Sequence, residues 1–248
     1  MKTIGIIPAR YASSRFPGKP LINLNGKSMI QRVYEQARKA SLLSQVVVAT
    51  DDQRIFDHVI GFGGNAVMTS TEHRSGTDRC AEVLSKSSEH FDAVINIQGD
   101  EPFIQPEQID LLARLFEDDS VEIGTLIKPL HDAADLSNPN IIKVVIDTKQ
   151  NGIYFSRSAI PFVRDAAQLS EWPKKVKMYK HIGIYGYRAD VLPQLTQLAP
   201  GVMEVAESLE QLRWRENGYA IRTALTELET ISIDAPEDVE KLRKAGLI

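Results

Sequence analysis

Three apolar runs, "TIGIIP" (3–8), "QVVVAT" (45–50) and "FDAVINIQ" (91–98), stand in the first hundred residues with segments of helical period between them. This alternation constrains the fold more than any other feature of the chain. The second and third runs lack the apolar–polar alternation of a half-exposed strand, so they read as strands buried on both faces. Between them, "MIQRVYEQARKA" (29–40), "DQRIFDHVIGFG" (52–63) and "DRCAEVLSKSSE" (78–89) read as helices, "NAVMT" (65–69) as a short strand, and "PEQIDLLARLFED" (106–118) as a helix opened by Pro106. A βαβα order of this kind implies an α/β fold with a mostly parallel sheet and helices on both faces. Ligands in such folds sit at the carboxyl ends of the strands.

The rhythm changes after about residue 120. "VEIGTLIKPL", "IIKVVID", "GIYFSR" and "KHIGIYGYR" supply strands with little helix between them, which predicts a smaller mixed or antiparallel extension over roughly 121–190. We read it as part of a single domain spanning 1–248. Helices return at 205–217 and 236–246, and the polar, proline-punctuated stretch 164–177 reads as a mobile or partner-facing loop.

With 248 residues, 43% of them hydrophobic, the chain can bury a sizeable core. Lys and Arg number 29 against 33 acidic residues, a formal net charge of −4 that argues against nucleic acid as a main partner. Cys80 is the only cysteine, so no internal disulfide forms, and no apolar run approaches a membrane span. We therefore expect a cytoplasmic protein with no membrane partner.

Against that acidic balance, "IIPARYASSRFPGKPL" (6–21) places Arg10, Arg15 and Lys19 on the loop that follows the first strand, where they can converge on phosphate oxygens with Ser13 and Ser14 as neutral donors. A solvated loop with idle charges is the bland alternative, and its position after a buried strand favours phosphate binding. It is not a Walker loop, and "GFGGNA" (61–66) stands between helix and strand, the reverse of a dinucleotide fingerprint, so it reads as a helix stop. "VINIQGDEPF" (94–103) brings Asp100 to the end of a buried strand, and "ISIDAPEDVE" (231–240) brings Asp234 to the end of another short apolar run. Either aspartate alone reads equally well as a turn or a helix cap. Together with the cationic loop they point to metal-assisted nucleotidyl transfer.

These segments, with "HRSGTDRCAEV", "NPNIIKVV", "YFSRSAIPF", "HIGIYGYR", "LEQLRWRENG" and "DAPEDVE", stand in the order found in the 3-deoxy-manno-octulosonate (Kdo) cytidylyltransferase family, and the chain resembles that family over nearly its whole length. The resemblance implies CTP + Kdo → CMP-Kdo + pyrophosphate for lipopolysaccharide synthesis, a Rossmann-like nucleotidyltransferase sheet, Mg²⁺ and a homodimer. It further implies catalytic roles for Arg10, Lys19 and Asp100, nucleotide contacts from Ala9, Arg10, Ser13, Lys19, Ser75, Gly76 and Arg79, and metal ligation by Asp100 and Asp234. Gln98, Arg157, His181, Tyr185, Glu210 and Gln211 are the implied sugar contacts. Two positions depart from the pattern: Phe162 where some relatives are expected to carry tryptophan, and Arg74 where glutamine is frequent.

Three other readings are open. An 8-amino-Kdo or related acid would use the same machinery. A glycosyltransferase should carry an Asp-x-Asp at its metal strand, and the chain has only Asp51-Asp52 and Asp118-Asp119. A non-catalytic nucleotide-binding module could have lost a metal aspartate, whereas both are present. His181, Tyr185 and Tyr187 share one strand face by alternation; a histidine there is otherwise an ordinary packing residue, and Cys80 reads as buried.

Overall fold

The computed structural model describes residues 1–12 and 16–248. Its backbone contacts gather two compact units, Met1–Arg114 with Glu229–Ile248, and Leu115–Leu228.

In the first unit, β1 (Thr3–Ala9) leads through a 3₁₀ turn at Lys19–Leu21 and the small hairpin β2 (Asn23–Leu24) and β3 (Lys27–Ser28) into α1 (Met29–Ala37). Then follow β4 (Leu43–Thr50), α2 (Gln53–Gly61), β5 (Ala66–Met68), α3 (Gly76–Lys86), β6 (Ala93–Asn96) and α4 (Pro106–Arg114). β1 pairs parallel with β4 and with β6, and β4 pairs parallel with β5, as expected of crossovers through helices. The β-branched runs are buried from end to end: Ile4, Ile6 and Ile7 of β1, Val46 to Val48 of β4 and Val94 and Ile95 of β6 all lie in the core.

The helices start where their caps dictate. Ser28 accepts from the amide of Gln31, Asp52 from that of Arg54, and Ser75 from that of Asp78 while Asp78 answers the Ser75 amide in a capping box. α3 thus begins at Gly76, two residues before its apolar period. Gly63, with φ +82°, closes α2 in the left-handed region, so "GFGG" is a helix stop.

In the second unit, β7 (Ile123–Leu130), α5 (Ala133–Ser137), β8 (Lys143–Ile146) and β9 (Gly152–Ser156) precede α6 (Trp172–Lys175) and the long β10 (Met178–Arg188). The unit closes with α7 (Leu192–Thr196), α8 (Val202–Glu207), α9 (Glu210–Glu216) and β11 (Ile221–Leu225), after which α10 (Pro236–Lys244) belongs again to the first unit. β10 is antiparallel to β7 and β8, β8 is antiparallel to β9, and β11 is parallel to β7. The strand-rich region is mixed, as its sequence predicts.

Three expectations need correction. The single helix read over 205–217 is two helices, because Ser208 takes a left-handed φ of 52° between α8 and α9. Residues 231–233 form no strand; Ile233 is instead buried with Leu24, Met29, Val239 and Leu242. Within 164–177, Trp172 is buried against Leu130, Leu136, Val163 and Met178, and its Nε1 donates to the Ala166 carbonyl at 3.3 Å. Polar composition hid that anchor.

Candidate active site

β1 and β6 run in the same direction with Ile6 opposite Asn96, and the Ile97 amide donates to the Ile6 carbonyl at 2.8 Å. Their carboxyl ends therefore leave the sheet at one edge, where Arg10 follows the buried Ala9 and where Gln98, Gly99 and Asp100 follow β6. A Cβ on Gly99 would stand 2.7 Å from the Pro8 carbonyl oxygen, so only glycine lets the two strand ends come this close. Past Ala9 the chain returns on itself: the Gly18 amide donates to the Tyr11 carbonyl at 2.9 Å, and Gly18, at φ +72°, turns the backbone into the Lys19 3₁₀ turn. The Arg54 guanidinium lies over the Tyr11 ring at 3.3 Å from its centroid.

This path delivers the Lys19 Nζ to 2.7 Å from Asp100 Oδ2 and 3.8 Å from Asp234 Oδ1. Asp234 gets there without a strand. The Ile233 amide donates to the Asp100 carbonyl at 3.0 Å while the Ile233 side chain is sunk in the apolar cluster under α10. Lys19, Asp100 and Asp234, assigned to one chemistry from three distant segments, converge on one point.

Glu101 joins them. Its side chain is 7% exposed and its Oε2 has no hydrogen-bond partner. Burial, with the neighbouring charges of Asp100 and then Asp234, pushes its carboxyl up to about 8. Sequence reading passed over Glu101 because "GDEP" looks like a turn; an acid directly after a strand-end Asp was the available signal. An oxygen-only donor set with an orphaned buried carboxyl oxygen suits a hard cation. Among the described residues no group of three or more His, Cys, Asp or Glu is arranged to hold a metal.

Arg10 donates through Nη2 to the His73 carbonyl, and its pKa is lowered by burial and by the charge of Arg79, against the pull of Asp51 and Asp78. Ser75 and Gly76 open α3, and a Cβ on Gly76 would lie 3.2 Å from the Pro8 ring. Arg79 is 0% exposed and turned inward: its Nη2 pairs with Asp51 at 2.5 Å, and its Nη1 donates to Thr69 Oγ1 at 2.6 Å and to the Ser70 carbonyl. It braces the wall beside Arg10 rather than facing solvent. Arg74 is exposed, with its amide on Asp78. Ser13, Ser14 and Arg15 lie outside the described residues.

The second unit holds the remaining sugar-assigned residues. His181, in β10, is half-buried at its surface, and the desolvation of its ring lowers its pKa to about 3, so the ring is neutral at pH 7. The Thr125 hydroxyl donates to the Ile184 carbonyl at 2.8 Å, so His181 Nε2, 2.9 Å away, must donate to Thr125 Oγ1. A register irregularity lies between Ile182 and Tyr185, and across it the His181 and Tyr185 rings approach to 5.2 Å, with Tyr187 stacked at 6.2 Å beyond. The shared face read from alternation is present. Trp214 of α9 packs edge-on against both tyrosines. The Tyr185 hydroxyl and the Trp214 Nε1 are buried without hydrogen-bond partners, and sequence reading did not single out Trp214. Glu210 opens α9 half-buried, and Gln211 is buried.

Arg157 donates from Nε to the Glu207 carbonyl at 2.6 Å, from Nη1 to the Pro139 carbonyl at 2.9 Å and from Nη2 to the Ser208 carbonyl at 3.3 Å. Phe162 is 75% exposed, edge-on to Trp172 at 5.2 Å.

No helix among the described residues is long and apolar enough to cross a membrane. The cytidylyltransferase family profile matches residues 4–231. The chain is 56% identical over 245 residues to the 3-deoxy-manno-octulosonate cytidylyltransferase of Parabacteroides distasonis, covering 97% of this chain and 96% of that one. It is 48% identical to the enzyme of the same name from Thermodesulfovibrio yellowstonii, with 98% of both chains covered. A solved structure of CMP:2-keto-3-deoxy-manno-octonic acid synthetase complexed with CTP superposes with a TM-score of 0.91 at 44% identity, covering 100% of this chain and 99% of that one. The 4-diphosphocytidyl-2C-methyl-D-erythritol synthase of Anaerococcus prevotii, at 13% identity and a TM-score of 0.63 over 100% of this chain and 99% of that one, shares the fold. With a match that runs from the first strand to the segment before α10, and with that fold, the chain belongs to the cytidylyltransferase family.

Proposed function

We propose that this cytidylyltransferase transfers CMP from CTP to Kdo, giving CMP-Kdo and pyrophosphate. The observation that carries the reading is the convergence of Lys19 with Asp100 and Asp234 at a parallel-strand edge, in a chain 56% identical to a named Kdo cytidylyltransferase. The anomeric hydroxyl of Kdo attacks the α-phosphorus of CTP. A carbon-borne oxygen–phosphorus bond forms as the bond to the β-phosphate oxygen breaks, the hydroxyl proton is released, and pyrophosphate leaves. Little covalent chemistry falls to the protein, so its contribution is positioning and charge.

Arg10 and Lys19, with Ser13, hold the triphosphate and stabilise the leaving pyrophosphate. Ala9, Ser75 and Gly76 frame the cytidine, and Arg79 supports that wall from behind. Asp100 and Asp234 hold Mg²⁺, which when bound supplies charge neutralisation at the phosphate oxygens and a lowered pKa for a coordinated hydroxyl. Gln98, Arg157, His181, Tyr185, Glu210 and Gln211 receive the sugar; a neutral His181 offers hydrogen bonds without charge, which leaves Arg157 as the cation for the Kdo carboxylate. A homodimer working in the cytoplasm on the route to lipopolysaccharide completes the reading.

The test is pyrophosphate release from CTP and Mg²⁺ with Kdo and 8-amino-Kdo side by side, with UTP and ATP as nucleotide controls. Turnover with Kdo and CTP above every other pairing is expected. Preference for the amino sugar would rename the acceptor, and silence with every sugar would overturn the reading.

A further inference from the structure

Lys143 is a lysine in the middle of an otherwise apolar run, "IIKVV", and its side chain is 0% exposed. Its Nζ donates to three main-chain carbonyls: Asn138 at 2.9 Å, Ile141 at 2.6 Å and Arg157 at 2.6 Å. A neutral amine has only two N–H groups, so three carbonyl acceptors require the ammonium form. Burial pulls the Lys143 pKa down, with Glu207 opposing that pull, Arg157 assisting it and Asp135 opposing it more weakly.

The surroundings do not neutralise this charge. Three of the five N–H groups of Arg157 go to carbonyl oxygens, and no carboxylate lies within ion-pair distance of either cation among the described residues. The nearest acid, Glu207, is occupied otherwise: it accepts from the Ser156 hydroxyl at 2.6 Å, the Arg157 amide at 2.9 Å and the Tyr154 hydroxyl at 3.3 Å. Burial alone would raise the Glu207 carboxyl, and these donors hold it below its ordinary value. Asp135, the second acid that acts on Lys143, lies 3.9 Å from Lys180, so Lys143, Arg157 and Lys180 against Glu207 and Asp135 leave a net positive charge around a partly buried nest. Neutral donors such as an amide or a water would satisfy the same carbonyls at far lower desolvation cost. A charge in this place is favourable when an anion comes to the open, half-exposed side of Arg157.

We infer that Lys143 is a positioning residue for the carboxylate of the sugar acid: its buried ammonium fixes the loop before β8 and the Arg157 main chain, and adds a positive charge that the protein itself does not balance. The inference rests on the proposed sugar-acid substrate and on Arg157 as its receiving cation. It extends that reading to a residue that never touches the sugar.

The experiment is steady-state pyrophosphate release with Kdo varied at saturating CTP and then CTP varied at saturating Kdo, on the wild type, Lys143→Met and Glu207→Gln, with thermal melts of each. Lys143→Met should raise KM for Kdo about tenfold and leave KM for CTP within about twofold, the size of effect one shielded charge exerts on an anion. Glu207→Gln removes the compensating negative charge and keeps a carbonyl oxygen for Ser156, so it should lower KM for Kdo by about threefold. Opposite signs from two variants of one nest are what a purely structural role would not produce. A folded Lys143→Met with an unchanged KM for Kdo overturns the inference. If Lys143→Met does not fold, Glu207→Gln decides, and a KM for Kdo that stays or rises overturns it. A wild type that is silent with Kdo but active with another sugar acid overturns the substrate reading instead, and the same two variants are then judged on that acid.

Discussion

The residues assigned to phosphate and metal and those assigned to the sugar handle charge in opposite ways, although Arg213 and Glu204 of the second unit also form an ordinary ion pair at 2.6 Å. At the strand edge of the first unit, charge answers charge: Lys19 faces Asp100 and Asp234, Arg79 faces Asp51, and His73 contacts Glu82, whose carboxyl is held at about 2 as its partners outweigh the burial that would raise it. In the second unit, Lys143 and Arg157 are answered by main-chain carbonyls, Glu207 by hydroxyls and an amide, and His181 by a threonine hydroxyl. Paired, partly exposed charges such as Lys19 and Asp100 can exchange partners when a polyanion and its metal arrive. A cation satisfied by backbone is fixed in place and keeps its charge for the ligand. The first arrangement suits a triphosphate, and the second suits a single carboxylate on a rigid sugar.

The largest effect that tests this contrast is expected at Asp100. Asp100→Asn keeps the size of the side chain but removes one of the two carboxylates facing Lys19. Turnover should fall by about a thousandfold, the scale of losing a major electrostatic element of a transition state. KM for Kdo should change less than turnover, because five of the six residues assigned to the sugar, Arg157, His181, Tyr185, Glu210 and Gln211, lie in the second unit. Pyrophosphate release with Kdo and then Mg²⁺ varied measures both, and turnover within about tenfold of the wild type would break the assignment of the acidic edge to chemistry.

A smaller and more telling change is Tyr185→Phe. The Tyr185 hydroxyl is buried with no hydrogen-bond partner, against Trp214 and the His181 ring. An unsatisfied buried polar group costs about 1–3 kcal/mol, so deleting it should leave the protein as stable or more stable. If the hydroxyl is kept for the sugar, KM for Kdo should rise about tenfold, the worth of one hydrogen bond. Raised stability with unchanged KM for Kdo would remove Tyr185 from the sugar site and sharpen the contrast to Lys143 and Arg157 alone.

The contrast also explains what could be read from sequence. Parallel β1, β4 and β6 were legible because their β-branched runs admit little else, and the Gly63 stop and the shared His181–Tyr185 face followed from local periodicity and turn chemistry. Lys19 and Asp100 were legible because strand ends in a parallel sheet share an edge. What escaped depends on chain paths that no local pattern encodes. Asp234 arrives through the burial of Ile233 rather than on a strand, Ser208 breaks a helix whose apolar period continues through it, and Trp172 anchors a stretch that is otherwise polar. Glu101 and Lys143 escaped for a different reason: a charged residue beside a turn or inside a strand becomes unusual only when its burial and its partners are known.

The smallest effects are in stability, and Glu101 and His181 should contribute to it in opposite directions with pH. Glu101 titrates at about 8 in the folded protein against an ordinary 4.5. Its folded pKa is raised, so the stability linked to it is fully present below pH 4.5 and is lost as pH rises through 8. His181 titrates at about 3 against an ordinary 6.5. Its folded pKa is lowered, so its contribution is present above pH 6.5 and is lost as pH falls toward 3. Melting temperatures recorded in chelator from pH 4 to 9 should therefore decline on the alkaline side in the wild type and decline less in Glu101→Gln. A His181→Asn variant, whose side chain cannot take a proton, should make the acid side less steep, with the loss linked to Glu82 remaining, and leave the alkaline side unchanged. Equal alkaline slopes in wild type and Glu101→Gln would mean that the Glu101 carboxylate is tolerated beside Asp100 and Asp234, and the strand edge would then hold three charged acids around Lys19 rather than two.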